Sequence, residues 1–254
     1  MRKFPAEFAD LLTLKGRAVL EGRAPDLCGA LADPRRRILA ATGVVDRAKA
    51  AACRALLDRG LYEHLSPLSQ PTPPETIWWM TEDAGEWLPK TMRMKTAYLA
   101  RRGRAYAAAE RLGLIAMLRS PSFHAFAAAL AGKPLRRRSG VQVLCYGAGD
   151  YAGPHNDHHP EQPEARLGYV DVHISLANSA VAHQFLVYAE RGHFSRAVDV
   201  NTNGGVTAYR LPLWHYATPL VAKSGREAQA RRWVLLGTFL YRDAADARPA
   251  APTP

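Results

Sequence analysis

The feature that most constrains the fold is a change of character after Gly140. The run Val141-Gln142-Val143-Leu144-Cys145-Tyr146 alternates as a strand with one buried face should. The same reading holds for residues 169–176, 183–188, 205–211 and 232–241, with Gly, Pro and Asn turns between them. Upstream, the first ~130 residues carry helical periodicity instead. Asp46 is placed to cap a helix over 47–59 that ends at Gly60, and 93–112 reads as a long helix broken near Gly103. Ser120-Pro121 is a cap followed by a first-turn proline, opening a helix over 122–130 that Gly132 closes. Residues 66–74, rich in Pro, Ser and Thr, read as a loop. Helices first and then closely spaced strands predict an antiparallel β-sandwich or barrel braced by N-terminal helices.

Size and composition narrow this further. A chain of 254 residues and 27.9 kDa suits one large domain, or one domain with an extension. We expect a mainly helical region over 1–134, a β core over 135–243, and a disordered Ala/Pro-rich tail over 244–254. No apolar run approaches the ~20 residues needed to cross a bilayer. The N-terminus lacks the unbroken apolar segment of a secretory signal, so the expected compartment is the cytoplasm. Cys28, Cys53 and Cys145 are odd in number and widely spaced, the pattern of buried free thiols and not of a disulfide framework. The net charge of +11 favours an acidic or carboxylate-bearing partner. Its Arg residues are scattered, with short clusters only at 35–37 and 136–138, which argues against nucleic acid.

One stretch carries chemistry: Tyr146-Gly147-Ala148-Gly149-Asp150-Tyr151-Ala152-Gly153-Pro154-His155-Asn156-Asp157. Residues two apart in a strand face the same side, so His155 and Asp157 can offer a nitrogen and an oxygen to one metal ion. The best third ligand is His215, at the end of another strand-like run. Two imidazoles and one carboxylate, with the other positions open, form the ligand set of non-haem Fe(II) oxygenases. A lone His-x-Asp arises often by chance, so the surrounding pattern matters.

That pattern resembles the Fe(II)/2-oxoglutarate-dependent dioxygenases, particularly their prolyl-hydroxylase-like branch. Tyr146, Gly149, Pro154, His155 and Asp157 fall at the family's spacing. Gly205-Val206-Thr207-Ala208-Tyr209, His215, Pro219 and Arg232-Trp233-Val234-Leu235-Leu236 follow in the family's order. The resemblance spans about residues 135–242 and departs from the pattern twice. The usual Gly-Gly pair before the distal His is replaced by His183-Gln184-Phe185-Leu186-Val187-Tyr188, and three basic residues compete to hold the cosubstrate. Of these, Arg232 opens the last core strand before Trp-Val and is preferred; Arg231 comes second and Arg226 third.

The resemblance implies an α+β fold with a double-stranded β-helix (jelly-roll) core. His155, Asp157 and His215 would bind Fe(II), and Arg232 would hold the distal carboxylate of the cosubstrate 2-oxoglutarate, with Tyr146 a hydrogen-bond donor to it. The implied partners are O₂ and a small-molecule or peptidyl substrate, and the implied reaction is oxidation of a C–H bond with release of succinate. Two alternatives stand beside this reading: a metal-binding cupin-like jelly roll without oxygenase activity, and a nucleic-acid-directed demethylase of the same superfamily. Four further expectations follow. His158 and His159 line the entrance or support Asp157. On 169–176, one face carries Tyr169, Asp171, His173 and Ser175, and it either lines the barrel or meets solvent. Trp214 and Tyr216 pack around the distal His. Trp78-Trp79-Met80 packs in the core.

Overall fold

The computed structural model describes residues 3–71, 91–99, 102–157 and 168–242. Among the described residues of the first half lie five α-helices: α1 (Leu14–Leu20), α2 (Arg47–Gly60), α3 (Arg104–Arg111), α4 (Leu114–Leu118) and α5 (Pro121–Ala131). Their ends follow local chemistry. The Asp46 carboxylate accepts from the Ala48 and Lys49 amides at the start of α2, and the Ser120 hydroxyl accepts from Phe123 N at the start of α5. Gly132 ends α5 at φ 65, the left-handed conformation that glycine adopts without penalty. Residues Leu114–Ala131 are apolar enough on average to resemble a membrane span. They form two helices parted at Arg119 and Ser120, and Phe123, Phe126 and Leu130 are buried in the protein core.

Thirteen strands are described. Before the core lie β1 (Ile38–Ala41), β2 (Ser66–Pro71) and β3 (Thr91–Tyr98). The core itself comprises β4 (Leu135–Gly147), β5 (Tyr151–His155), β6 (Tyr169–Ala177), β7 (Val181–His183), β8 (Phe185–Glu190), β9 (His193–Asp199), β10 (Gly205–Leu211), β11 (His215–Ala217), β12 (Val221–Ala222) and β13 (Arg231–Tyr241). An 11-stranded sheet runs in the order β1-β10-β6-β13-β4-β3-β5-β11-β8-β9, with β2 beside β3, while β12 and β7 pair separately. The described pairings are antiparallel. One layer holds β10, β6, β13 and β4; the facing layer holds β5, β11, β8 and β9. This is a jelly roll, as expected.

Alternation on the first layer sorts side chains to its two sides. Val141, Val143, Cys145, Val170, Val172, Ile174, Leu176, Trp233 and Leu235 pack outward into the cluster formed with the helices. Tyr146, Ala177 and Val234 point the other way, into the barrel, where they meet Met94, Ala152 and Ala217. Tyr169, Asp171, His173 and Ser175 therefore line the interior, and Asp171 and Ser175 are fully buried. On that face of β6 only His173 is partly exposed.

Two local expectations are corrected. Residues 93–98 are strand, not helix, because β3 bridges the layers by pairing with both β4 and β5. Met92, Met94, Thr96 and Tyr98 alternate with Arg93, Lys95 and Ala97, a period of two that Ala, Arg and Leu usage obscured. Residues 66–71 are strand β2 and not loop; among the described strands β2 pairs with β3 alone, and an edge strand tolerates Pro67 and Pro71. The segments containing 72–74, Trp78-Trp79-Met80, His158, His159 and the tail 244–254 fall outside the described residues. Cys53 and Cys145 are buried and Cys28 half-buried, all three as free thiols.

Candidate metal centre

The turn after β4 sets the first ligand. Asp150 Oδ2 accepts from Gly147 N at 2.8 Å, and Gly149 sits at φ 76, where an added Cβ would stand 2.7 Å from Arg93 Nη2. This turn launches β5, which ends on His155. On β11, His215 lies directly opposite His155 in the antiparallel register, and the two rings are 4.3 Å apart between centroids. Each Nδ1 stands 2.6 Å from the carbonyl two residues earlier, Gly153 O for His155 and Leu213 O for His215. A carbonyl can only accept, so each Nδ1 carries the proton and each Nε2 presents a lone pair.

Asp157 completes the group by a turn and not by strand alternation. The strand ends at His155, and Asp157 adopts φ 53 with its carbonyl accepting from the Tyr169 hydroxyl. Its Oδ1 comes 3.4 Å from His155 Nε2 and its Oδ2 3.5 Å from His215 Nε2. One ligand atom from each residue lies within 4.8 Å of the other two. Burial, then the neighbouring His155, lowers His215 to a pKa of about 4, so the imidazole is neutral and free to coordinate at neutral pH. The donor set fits a divalent transition metal that tolerates nitrogen and oxygen ligands with open positions.

Arg232 is the second element. It is the second residue of β13, in register with Tyr146 of β4 and Ala177 of β6, and it is 3% exposed. Its Nε donates to Ser175 Oγ and to Val200 O, both at 2.8 Å, and its Nη1 donates to Gln184 Oε1 at 2.9 Å. Its Cζ lies 5.5 Å from the Tyr146 ring centroid. Every hydrogen-bond partner is neutral, and the Asp199 carboxylate, which acts on it from an exposed position, makes no ion pair with it among the described residues. Burial lowers the guanidinium to about 10 and raises the Tyr146 phenol to about 12, so at neutral pH the first is charged and the second can donate.

The two competitors point elsewhere. Arg231 faces outward, its Nη1 3.4 Å from Asp58 Oδ1 and its Cζ 3.9 Å from the Tyr62 ring centroid. Arg226 is exposed and bonds to Gln229 and Ser179.

Gln184 is a candidate site residue that sequence reasoning missed, and Ser175, placed there on a face that could line the barrel, was given no role beside Arg232. Gln184 replaces the family's Gly-Gly pair, and its amide ties Arg232 to the Thr218 carbonyl at 2.9 Å. The departure from the pattern was the available signal. Tyr209 joins the wall as well, its hydroxyl 3.0 Å from His173 Nε2 and 3.4 Å from His215 Nε2. Tyr216 packs edge-on against Phe194 at 5.1 Å, as its expected packing role requires.

The chain matches no protein-family model, and no curated protein matches it by sequence. Its structure is similar to solved structures across nearly its whole length. An oxidoreductase of the 2OG-Fe(II) oxygenase family from Burkholderia pseudomallei superposes with a TM-score of 0.53 at 14% identity, covering 98% of this chain and 97% of that one. A prolyl 4-hydroxylase from Phytophthora capsici gives 0.56 at 16%, covering 97% and 72%. The non-haem α-ketoglutarate-dependent epimerase SnoN of nogalamycin biosynthesis gives 0.53 at 18%, covering 93% and 88%. The chain has the fold of the 2OG-Fe(II) oxygenases, and its His-Asp-His group lies within that fold.

Proposed function

We propose that this protein is an Fe(II)/2-oxoglutarate-dependent dioxygenase that oxidises a C–H bond of its substrate and releases succinate. His155, Asp157 and His215 hold the iron; Arg232 receives the distal carboxylate of 2-oxoglutarate, and Tyr146 supplies a hydrogen bond to it. The bound iron and cosubstrate supply the oxidising chemistry. The chain's own groups bind and orient. The Gly153 and Leu213 carbonyls fix the two imidazoles with Nε2 inward. Ser175, Val200 and Gln184 clamp the guanidinium so that it meets a planar carboxylate already aimed.

The observation that carries this reading is Arg232, a buried cation on the wall that faces the two histidines, with no carboxylate in ion-pair contact among the described residues. A buried charge needs compensation, and a dicarboxylate cosubstrate provides it. A metal-binding jelly roll without oxygenase activity has no use for such a residue. The test is anaerobic titration of the Fe(II)-loaded protein with 2-oxoglutarate, read as a visible metal-to-ligand charge-transfer band. The band should form, vanish in His215→Ala and weaken at least about tenfold in apparent affinity in Arg232→Ala. Bound iron without a band would overturn the cosubstrate assignment and leave a metal-binding cupin-like protein.

A further inference from the structure

The inner wall holds one acid that this chemistry does not use. Asp171 is 3% exposed on β6, facing Tyr209 of β10 and Thr238 of β13 across the ladders. Thr238 hydrogen-bonds the carboxyl group, and Oδ2 stands 4.0 Å from His173 Nε2, but Oδ1 has no hydrogen-bond partner. A buried polar atom without a partner is uncommon enough to need a reason. Alternation along β6 puts Asp171 on the face of Ser175, which bonds Arg232. Successive contacts lead from it to the metal group: 4.0 Å to His173, 3.0 Å from His173 to Tyr209, and 3.4 Å from Tyr209 to His215. At the end of β3, Tyr98 is 70% exposed, and its phenol, bonded to Gln142, lies within electrostatic reach of both Asp157 and Asp171. Asp171 is thus connected to the triad through His173 and Tyr209, and the Tyr98 phenol lies near both carboxylates.

The charges around Asp171 indicate what suits it. With the site loaded, the two positive charges of the metal are offset by Asp157 and one carboxylate of 2-oxoglutarate, and the other carboxylate is offset by Arg232. His173 is neutral, since burial lowers it to a pKa of about 3. Asp171 is left as an acid with no cationic partner among the described residues. We infer that the substrate carries a cationic nitrogen, an ammonium or guanidinium group, that pairs with Asp171 and lies against the Tyr98 ring. This rests on the proposed function and adds the substrate class to it. With no substrate present, burial and the nearby Asp157 keep the Asp171 carboxyl protonated; an arriving cation favours its ionised form. The net charge of +11 suggested an acidic substrate, but that excess belongs to arginines scattered along the chain, not to this wall.

The experiment uses the Fe(II)-loaded protein with 2-oxoglutarate under anaerobic conditions, the charge-transfer band reporting that the site is loaded. L-Arginine, L-lysine, agmatine and putrescine are titrated beside the neutral L-citrulline and Nε-acetyl-L-lysine, with binding read by calorimetry and by the change in the band. At least one cation should bind about tenfold or more tightly than its neutral counterpart, and Asp171→Asn should remove most of that preference. Tyr98→Ala, an exposed position that leaves the core untouched, should weaken the same cation by about threefold or more. Equal binding of cations and neutral analogues, no binding of any cation, or a preference that survives in Asp171→Asn or is unchanged in Tyr98→Ala would each overturn the inference. Absence of the band in the parent protein would overturn the cosubstrate reading instead, and the calorimetric comparison would still decide this one.

Discussion

His173 and Asp171 look like an ion pair at 4.0 Å, but both are neutral, because burial pushes the imidazole down to about 3 and the carboxyl well above its usual range. The imidazole has a consequence for stability. An unfolded His takes up a proton near pH 6.5, whereas the folded one refuses it until about 3. Its contribution is therefore fully present above pH 6.5 and is lost as the pH falls toward 3. Asp171 works in the opposite sense, so the comparison must be between the parent and a variant that keeps it. Between pH 7 and 4, the metal-free parent should lose roughly 3 kcal/mol more stability than His173→Gln, read from urea midpoints at each pH. Equal losses would mean that His173 is hydrated and titrates normally. Most of the candidate ligands were legible beforehand, because the spacing of Tyr146, Gly149, His155 and Asp157 is a local property. Gln184 and Ser175 were not, since a residue that supports an arginine brought from β13 has no fixed offset from it along the chain.

Helix α2 and strand β3 show how far local signals reach. Asp46 announces α2 because capping is decided within three residues, and the structure places its carboxylate 2.9 Å from both the Ala48 and Lys49 amides. Asp46→Ala should cost about 1 kcal/mol of stability, with Asp46→Asn recovering most of it, measured by chemical denaturation. Metal binding should be unchanged in both. Strand β3 lacks such a marker. Its residues suit a helix, and pairing with β4 and β5 overrides that preference. β2 and its prolines become strand only because β3 is already there to receive them.

Helices and jelly roll share one core. Phe123 of α5 stands 5.0 Å from Phe8 and 5.5 Å from Phe239 of β13, each edge-on, so one ring ties the N-terminal segment, a helix and the central strand together. Phe123→Ala should destabilise the protein by about 3–5 kcal/mol and keep a single unfolding transition, followed at once by far-UV circular dichroism and tryptophan fluorescence. Two separate transitions would make the helical half an independent unit. The alternation after Gly140, the capped helices and the His-x-Asp spacing are short-range patterns, and they specified most of the core strands, two of the three candidate metal ligands and the fold class. Pairing His215 with His155, turning Arg232 inward while Arg231 meets Asp58, and burying Asp171 beside the metal group all depend on which strands become neighbours. That is settled when distant segments close the barrel, because the hydrogen bonds and burial that select one register do not exist until both partners are in place.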